Sequence, residues 1–198
     1  MADAAQSPAD TQKRALRAEI RERRRIRTST ERTAAAAAIT QNLIDLASGL
    51  KVRSLSAYLS LPDEPGTRDF VEWACGQDIR VLLPVSRADG LLDWAPYDGT
   101  DEDVDILGLP APTTELLGPI AINDVDLIVI PAAAVDRSGM RMGWGRGYFD
   151  KTLGSMEGCP PVYAVIFDDE LVDSVPRERH DQPVDGVVTP AGIVTFSR

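Results

Sequence analysis

In Arg141-Met142-Gly143-Trp144-Gly145-Arg146-Gly147-Tyr148-Phe149-Asp150, three glycines alternate with larger residues, beside two arginines, an aromatic pair and an aspartate. Upstream, the apolar run from Asp126 to Ile130 ends at Pro131. Downstream, Tyr148 to Leu153 reads as the opening of a helix. The order is therefore strand, long loop, glycine-rich turn, helix. Glycine reaches positive φ and leaves space where a Cβ would stand. Successive amide N–H groups can then line a concave nest for an anion, and a helix start adds free N–H groups and a partial positive charge. Arg141 and Arg146 bring guanidinium groups suited to phosphate oxygens. The segment is a candidate polyphosphate cradle. It has neither the P-loop pattern nor the Rossmann spacing, so on these residues alone a plain flexible turn stays open.

Asp150 in the first helical turn would repel a phosphate. Mg²⁺ removes the conflict, since it commonly takes one or two carboxylates together with substrate phosphates. Complementing the helix dipole is the other reading of the same aspartate. Asp185, ahead of a short apolar run, is a candidate second magnesium carboxylate. The one histidine, His180, cannot build a histidine-rich zinc site and has no triad pattern around it.

Working outward, strands alternate with helices. A tail over residues 1–6 precedes Ser7-Pro8-Ala9-Asp10, which reads as an N-cap, a proline at the first helical position and an acid in the first turn. That helix is expected to run to about Arg27, with Lys13, Arg17 and Arg21 on one face. Thr28-Ser29-Thr30-Glu31 has the capping-box pattern and starts a second helix that stops at Gly49. Ser54 to Leu61 reads as a strand entering the loop Pro62-Asp63-Glu64-Pro65-Gly66, at the kind of strand end where ligands gather in open α/β sheets. A helix over 68–75 and strands over 80–85, 91–97, 125–131, 162–167, 187–189 and 193–196 follow. Thr100 to Asp105 is an acidic, exposed stretch, and Pro110, Pro112 and Pro119 mark extended loops. The expected fold is a single α/β layered domain over 7–198, with a mostly parallel central sheet flanked by helices.

Composition narrows the function classes. The chain has 198 residues and a net charge of −10, against the basic character usual in nucleic-acid-binding domains. Basic residues nevertheless crowd residues 13–32 against Glu19, Glu22 and Glu31, so anionic ligands would be met by locally focused charge. A solvated basic face and RNA binding are the other readings of that run, the latter weakened by the lack of interleaved aromatics. No apolar run approaches a membrane span, and no signal region is evident. Cys75 and Cys159 stand in no metal or redox spacing. A cytoplasmic monomer acting on small molecules, with no nucleic acid or membrane partner, is expected.

Together, three landmarks resemble the 5-formyltetrahydrofolate cyclo-ligase family over about Lys13 to Thr195. They are the Lys-x-x-x-Arg of the first helix (Lys13, Arg17), the strand and acidic loop from Leu59 to Glu64, and the glycine block followed by His180-Asp181 and Val184-Asp185-Gly186-Val187-Val188-Thr189. The resemblance implies a fold similar to sugar-phosphate isomerases and CoA-transferases. It implies that ATP phosphorylates the formyl oxygen of 5-formyltetrahydrofolate, after which the ring closes to 5,10-methenyltetrahydrofolate with release of ADP and phosphate. Lys13 and Arg17 would hold ATP phosphates, and Arg141, Met142, Gly143, Trp144, Gly145, Arg146, Gly147, Tyr148 and Phe149 would wrap the triphosphate. Asp150 and Asp185 would bind Mg²⁺. Leu59, Glu64, Trp144 and Tyr148 would contact the folate, and Arg141, Arg146 and Tyr148 would serve catalysis. Phe149 stands where the family usually has Tyr, and Met142 where it has Leu. A folate- or nucleotide-binding module without the chemistry is the alternative.

Overall fold

The computed structural model describes residues 8–99 and 101–197; the expected tail over 1–6 and the Ser7 cap lie outside them. Two helices open the chain, α1 (Pro8–Ile26) and α2 (Ser29–Leu50). Then come β1 (Ser54–Ser56), α3 (Arg68–Gly76), β2 (Arg80–Ser86), β3 (Leu92–Pro96), β4 (Glu102–Val104), β5 (Pro110–Pro112), a short 3₁₀ turn (Pro119–Asp124), β6 (Leu127–Pro131), β7 (Ala134–Asp136), β8 (Arg141–Met142) and α4 (Tyr148–Gly154). The remainder is β9 (Val162–Val165), β10 (Leu171–Val172), β11 (Gly186–Thr189) and β12 (Gly192–Thr195).

Seven strands form the main sheet in the order β12-β11-β9-β6-β1-β2-β3. The pairs β11–β9, β9–β6, β6–β1 and β1–β2 are parallel, and the edge strands β12 and β3 are antiparallel. Residues of a strand point alternately to the two faces, so a parallel sheet covered on both sides needs apolar residues throughout. In β6, Leu127 and Val129 join the core under α2 and α3, while Ile128 and Ile130 join the opposite core with Leu153 of α4. In β9, Tyr163 and Val165 face the first core, Val162 and Ala164 the second. A smaller sheet, β10-β7-β8, stands beside the main one. There Ile20 of α1 packs on Ala133, Ala134, Met142 and Val175.

Several boundaries differ from the sequence reading. The Thr28 capping box forms as expected, with Glu31 answering the Thr28 backbone. The helix it starts passes Gly49, and Lys51 is the left-handed C-cap at φ 55°, with its N–H on Ala47 and Ser48. The strand expected over 54–61 ends at Ser56. Beyond it, the Tyr58 carbonyl accepts from the Thr67 hydroxyl, the Ser60 hydroxyl from Thr67 N–H and the Ser60 carbonyl from Arg68, so the returning loop takes the groups a ladder would need. Asp101 to Val104 of the acidic stretch are exposed, but Asp105 is half-buried, and Glu102–Val104 pairs with Pro110–Pro112. α4 has seven residues, about two turns.

Candidate active site

α1 lays its basic face along the glycine-rich loop. Arg17 Nε donates to the Gly143 carbonyl at 2.8 Å. Three residues further on from Arg21, Arg24 repeats the same helical face; the guanidinium carbons of the two lie 5.2 Å and 4.9 Å from the Trp144 ring centre. At the other end of the face, Lys13 Nζ donates to Glu178 and Asp181 at 2.7 Å each. Burial pushes the Lys13 ammonium down, but the hydrogen bonds from it to Asp181 and Glu178 outweigh that and hold it above its ordinary value.

The glycines have a specific use. Gly145 and Gly147 sit at φ 92° and 72°, in the left-handed region that penalises a Cβ. A Cβ on Gly143 would come within 2.7 Å of Arg141 Nη1, and one on Gly145 within 3.1 Å of the Arg17 guanidinium. Small residues therefore let two cations lie against the loop backbone. Arg141, only 3% exposed, donates to Asp150 Oδ1, which also accepts from Gln182 N–H at 3.1 Å. Burial lowers the Arg141 pKa, opposed by Asp150 and Asp181. Arg141 is delivered by the β7–β8 hairpin, which Asp136 organises. This fully buried carboxylate accepts from Ser138 and Met140 N–H groups, the Ser138 hydroxyl, Val175 N–H and Arg177. Burial pushes the Asp136 carboxyl up, but the bonds from Ser138 and Arg177 prevail and leave it below the usual range.

Lys13, Arg17, Arg141 and Asp150 are thus gathered around residues 143–145 and the 178–182 segment. Arg146 is exposed and makes no ion pair among the described residues. Tyr148 turns its hydroxyl to the Arg87 carbonyl at 2.9 Å, and Phe149 packs on the core beneath α4. Leu59 is 6% exposed and belongs to the α2–α3 core. Glu64 lines a cleft of about 420 Å³ together with Arg32, Thr40, Ser60 and Arg68. Burial pushes the Glu64 carboxyl above its ordinary range, against the Leu61 N–H and Arg24. Asp185 precedes β11, where its carboxylate accepts from Val162 N–H at 2.8 Å, at the amino end of β9.

Asp150 Oδ2 takes no hydrogen bond among the described residues, which suits a hard divalent cation. Gln182 N–H binds Asp150, whereas Asp185, at the start of β11, already accepts from Val162 N–H through one carboxylate oxygen. A different set, Glu178, His180 and Asp181, brings ligand-type atoms within 4.8 Å of one another, but there the cation is the Lys13 ammonium.

Sequence reasoning passed over Arg24, Glu170, Glu178, Asp181 and Asp136 as site groups. Arg24 carried a signal: it follows Leu16 and Ile20 at four-residue steps, so it continues the apolar stripe inward. The pairing of the acids was not readable, because their cationic partners, Lys13, Arg24 and Arg177, are more than thirty residues away.

A parallel sheet whose central strands lead at their carboxyl ends into a basic, glycine-rich loop defines an α/β protein with a site suited to an anionic ligand. Residues 9–190 match the model of the 5-formyltetrahydrofolate cyclo-ligase family, and the chain belongs to that family. It is 39% identical over 157 residues to the 5-formyltetrahydrofolate cyclo-ligase of Mycolicibacterium smegmatis, covering 75% of this chain and 81% of that one. It is 27% identical over 182 residues to the Escherichia coli K12 enzyme of the same name, covering 88% and 98%. The fold is similar to the 5,10-methenyltetrahydrofolate synthetase of Aquifex aeolicus, with a TM-score of 0.79 at 23% identity over 94% of this chain and 93% of that one. Among the described residues no helix is long and apolar enough to cross a membrane.

Proposed function

We propose that the chain cyclises 5-formyltetrahydrofolate to 5,10-methenyltetrahydrofolate with conversion of ATP to ADP and phosphate. The observation that carries this reading is the packing of Arg17 and buried Arg141 against one glycine-rich loop, with Lys13 held beside it by Glu178 and Asp181, inside a family match that spans most of the chain. A formyl oxygen is a poor leaving group. Transfer of the γ-phosphoryl group to it gives an iminium phosphate; the N10 lone pair then attacks the formyl carbon, N10 gives up its proton to solvent, and the C–O bond breaks with phosphate leaving. Such transfer depends mainly on positioning and charge neutralisation.

In this reading, Lys13 and Arg17 hold phosphate oxygens, residues 141–149 wrap the triphosphate, and Arg141 and Arg146 stabilise charge on the transferring group. Arg141 already balances Asp150, so a phosphate competes with a carboxylate for it. Asp150 and Asp185 would hold Mg²⁺, which when bound would supply further neutralisation of the phosphates. Leu59, Glu64, Trp144 and Tyr148 form the folate side; the Glu64 carboxyl, which burial pushes above its ordinary range, can accept from a pterin N–H. The protein acts on small molecules as a cytoplasmic monomer, within the single domain 7–198.

The test is spectrophotometric. Methenyl-folate absorbance should grow from 5-formyltetrahydrofolate only when ATP and a magnesium salt are both present, and chelation should stop it. No absorbance change with all components present would refute the reading. Tight binding of both ligands without ADP formation would instead point to the binding module.

A further inference from the structure

Arg24 lies where three adjacent strands of the main sheet deliver their carboxyl ends. Its Nε donates to Glu170 Oε1 at 2.7 Å and its Nη2 to Glu170 Oε2 at 2.8 Å, a two-pronged pair beyond β9. The same Nη2 donates to the Ala132 carbonyl at 2.9 Å, just past β6. Tyr58 and Glu64, beyond β1, both feel the charges of Arg24 and Glu170. Arg24 is 3% exposed and Glu170 is 1% exposed. Glu170 Oε2 also accepts from Phe167 N–H at 2.9 Å, and the Arg24 guanidinium carbon stands 5.6 Å from the Phe167 ring centre as well as 4.9 Å from that of Trp144.

A buried ion pair is weak support for a fold, since well-packed apolar replacements often serve stability as well or better. What the pair does supply is direction. Two parallel hydrogen bonds hold the guanidinium plane, and the plane carries Trp144. Trp144 lies between Gly143, whose carbonyl holds Arg17, and Gly145, against which the Arg17 guanidinium lies. With its ring covered by Arg21 and Arg24 and packed beside Ile20 and Met142, Trp144 is an anchor of the loop.

We infer that Arg24, clamped by Glu170, is a positioning residue that fixes Trp144 and through it the glycine-rich loop across the carboxyl ends of β6 and β9. The inference rests on the proposed nucleotide role of that loop. Lysine cannot replace Arg24, because an ammonium has neither the planar face nor the fork.

The test uses the full chain with two variants, Arg24→Lys and the uncharged double variant Arg24→Met/Glu170→Met. Melting temperature, the Trp144 indole N–H resonance (assigned with Trp144→Phe) and steady-state kinetics are compared. The double variant is expected to melt near the wild type, with the Trp144 resonance shifted or broadened. KM for ATP should rise on the order of tenfold with a smaller change in kcat, the pattern of lost ground-state binding. A double variant that melts like the wild type and keeps both the resonance and KM overturns the inference. If it does not fold, Arg24→Lys decides by the same two readouts. If the wild type shows no turnover, the cyclisation reading fails separately, and the Trp144 resonance with the Kd for Mg-ATP decides this one.

Discussion

The two sides of this molecule are held by different forces. Under α2 and α3 the sheet is covered by Ile39, Leu43, Leu46, Phe70, Val71 and Ala74, and among the described residues the core there holds no buried ionisable group other than the hydroxyls of Tyr58 and Tyr163. Around α1, the β7–β8 hairpin and the 167–182 segment lie Lys13, Arg24, Asp136, Arg141 and Glu170, each at most 4% exposed. Apolar burial is non-directional and contributes stability in proportion to area. Buried charge is costly unless paired and hydrogen-bonded, yet it fixes groups in direction. The first side stabilises the sheet; the second aims cations at a loop.

That contrast can be broken by substitution. The largest effect is expected on the apolar side: Phe70→Ala removes a fully buried ring stacked on Trp73 and should cost about 3–5 kcal/mol of unfolding free energy. Denaturant titration measures it, and turnover per folded molecule should stay near wild type. An unchanged midpoint would show that this face is not the stabilising one. Arg141→Ala should do the opposite, lowering the rate about 10²–10³-fold with a smaller loss of stability from the carboxylate of Asp150 left alone. Full turnover in that variant would remove Arg141 from the chemistry. The smallest effect sharpens the comparison through pH. Because the fold raises the Lys13 pKa above 10.5, the folded state holds that proton more tightly. Its contribution is complete below about 10.5 and is lost as pH rises through the folded value. The stability difference between wild type and Lys13→Met should therefore shrink above about pH 10.5. A difference constant from pH 8 to pH 12 would show that the Lys13 ammonium contributes nothing through its charge.

Legibility in the sequence followed the range of the interactions. The Thr28 box is a contact over three residues and was readable. The β6 and β9 strands were readable because burial on both faces demands continuous apolar runs. Lys13, Arg17 and Arg21 were assigned one face by helical spacing, and each does meet the loop or its neighbours. The end of β1 was misjudged because Thr67 and Arg68, from the returning loop, take its carbonyls and hydroxyl. The glycines were read as room for a ligand; at Gly143 and Gly145 guanidinium groups of the protein itself stand in that room, and at Gly147 it is open.

The order of the helices and of the main-sheet strands, the family and the run of residues that forms the loop were determined by the sequence alone, since each depends on patterns a few residues long; the short pairs of the smaller sheets were not. Which arginine becomes buried, which acid faces it and which end of the sheet each carboxylate reaches were decided by the tertiary structure. Arg23, Arg24 and Arg25 are chemically identical. Only the docking of α1 across the ends of β6 and β9 gives one of them Glu170, Ala132 and an indole, because the cost of burying a charge is offset only where partners from distant segments converge.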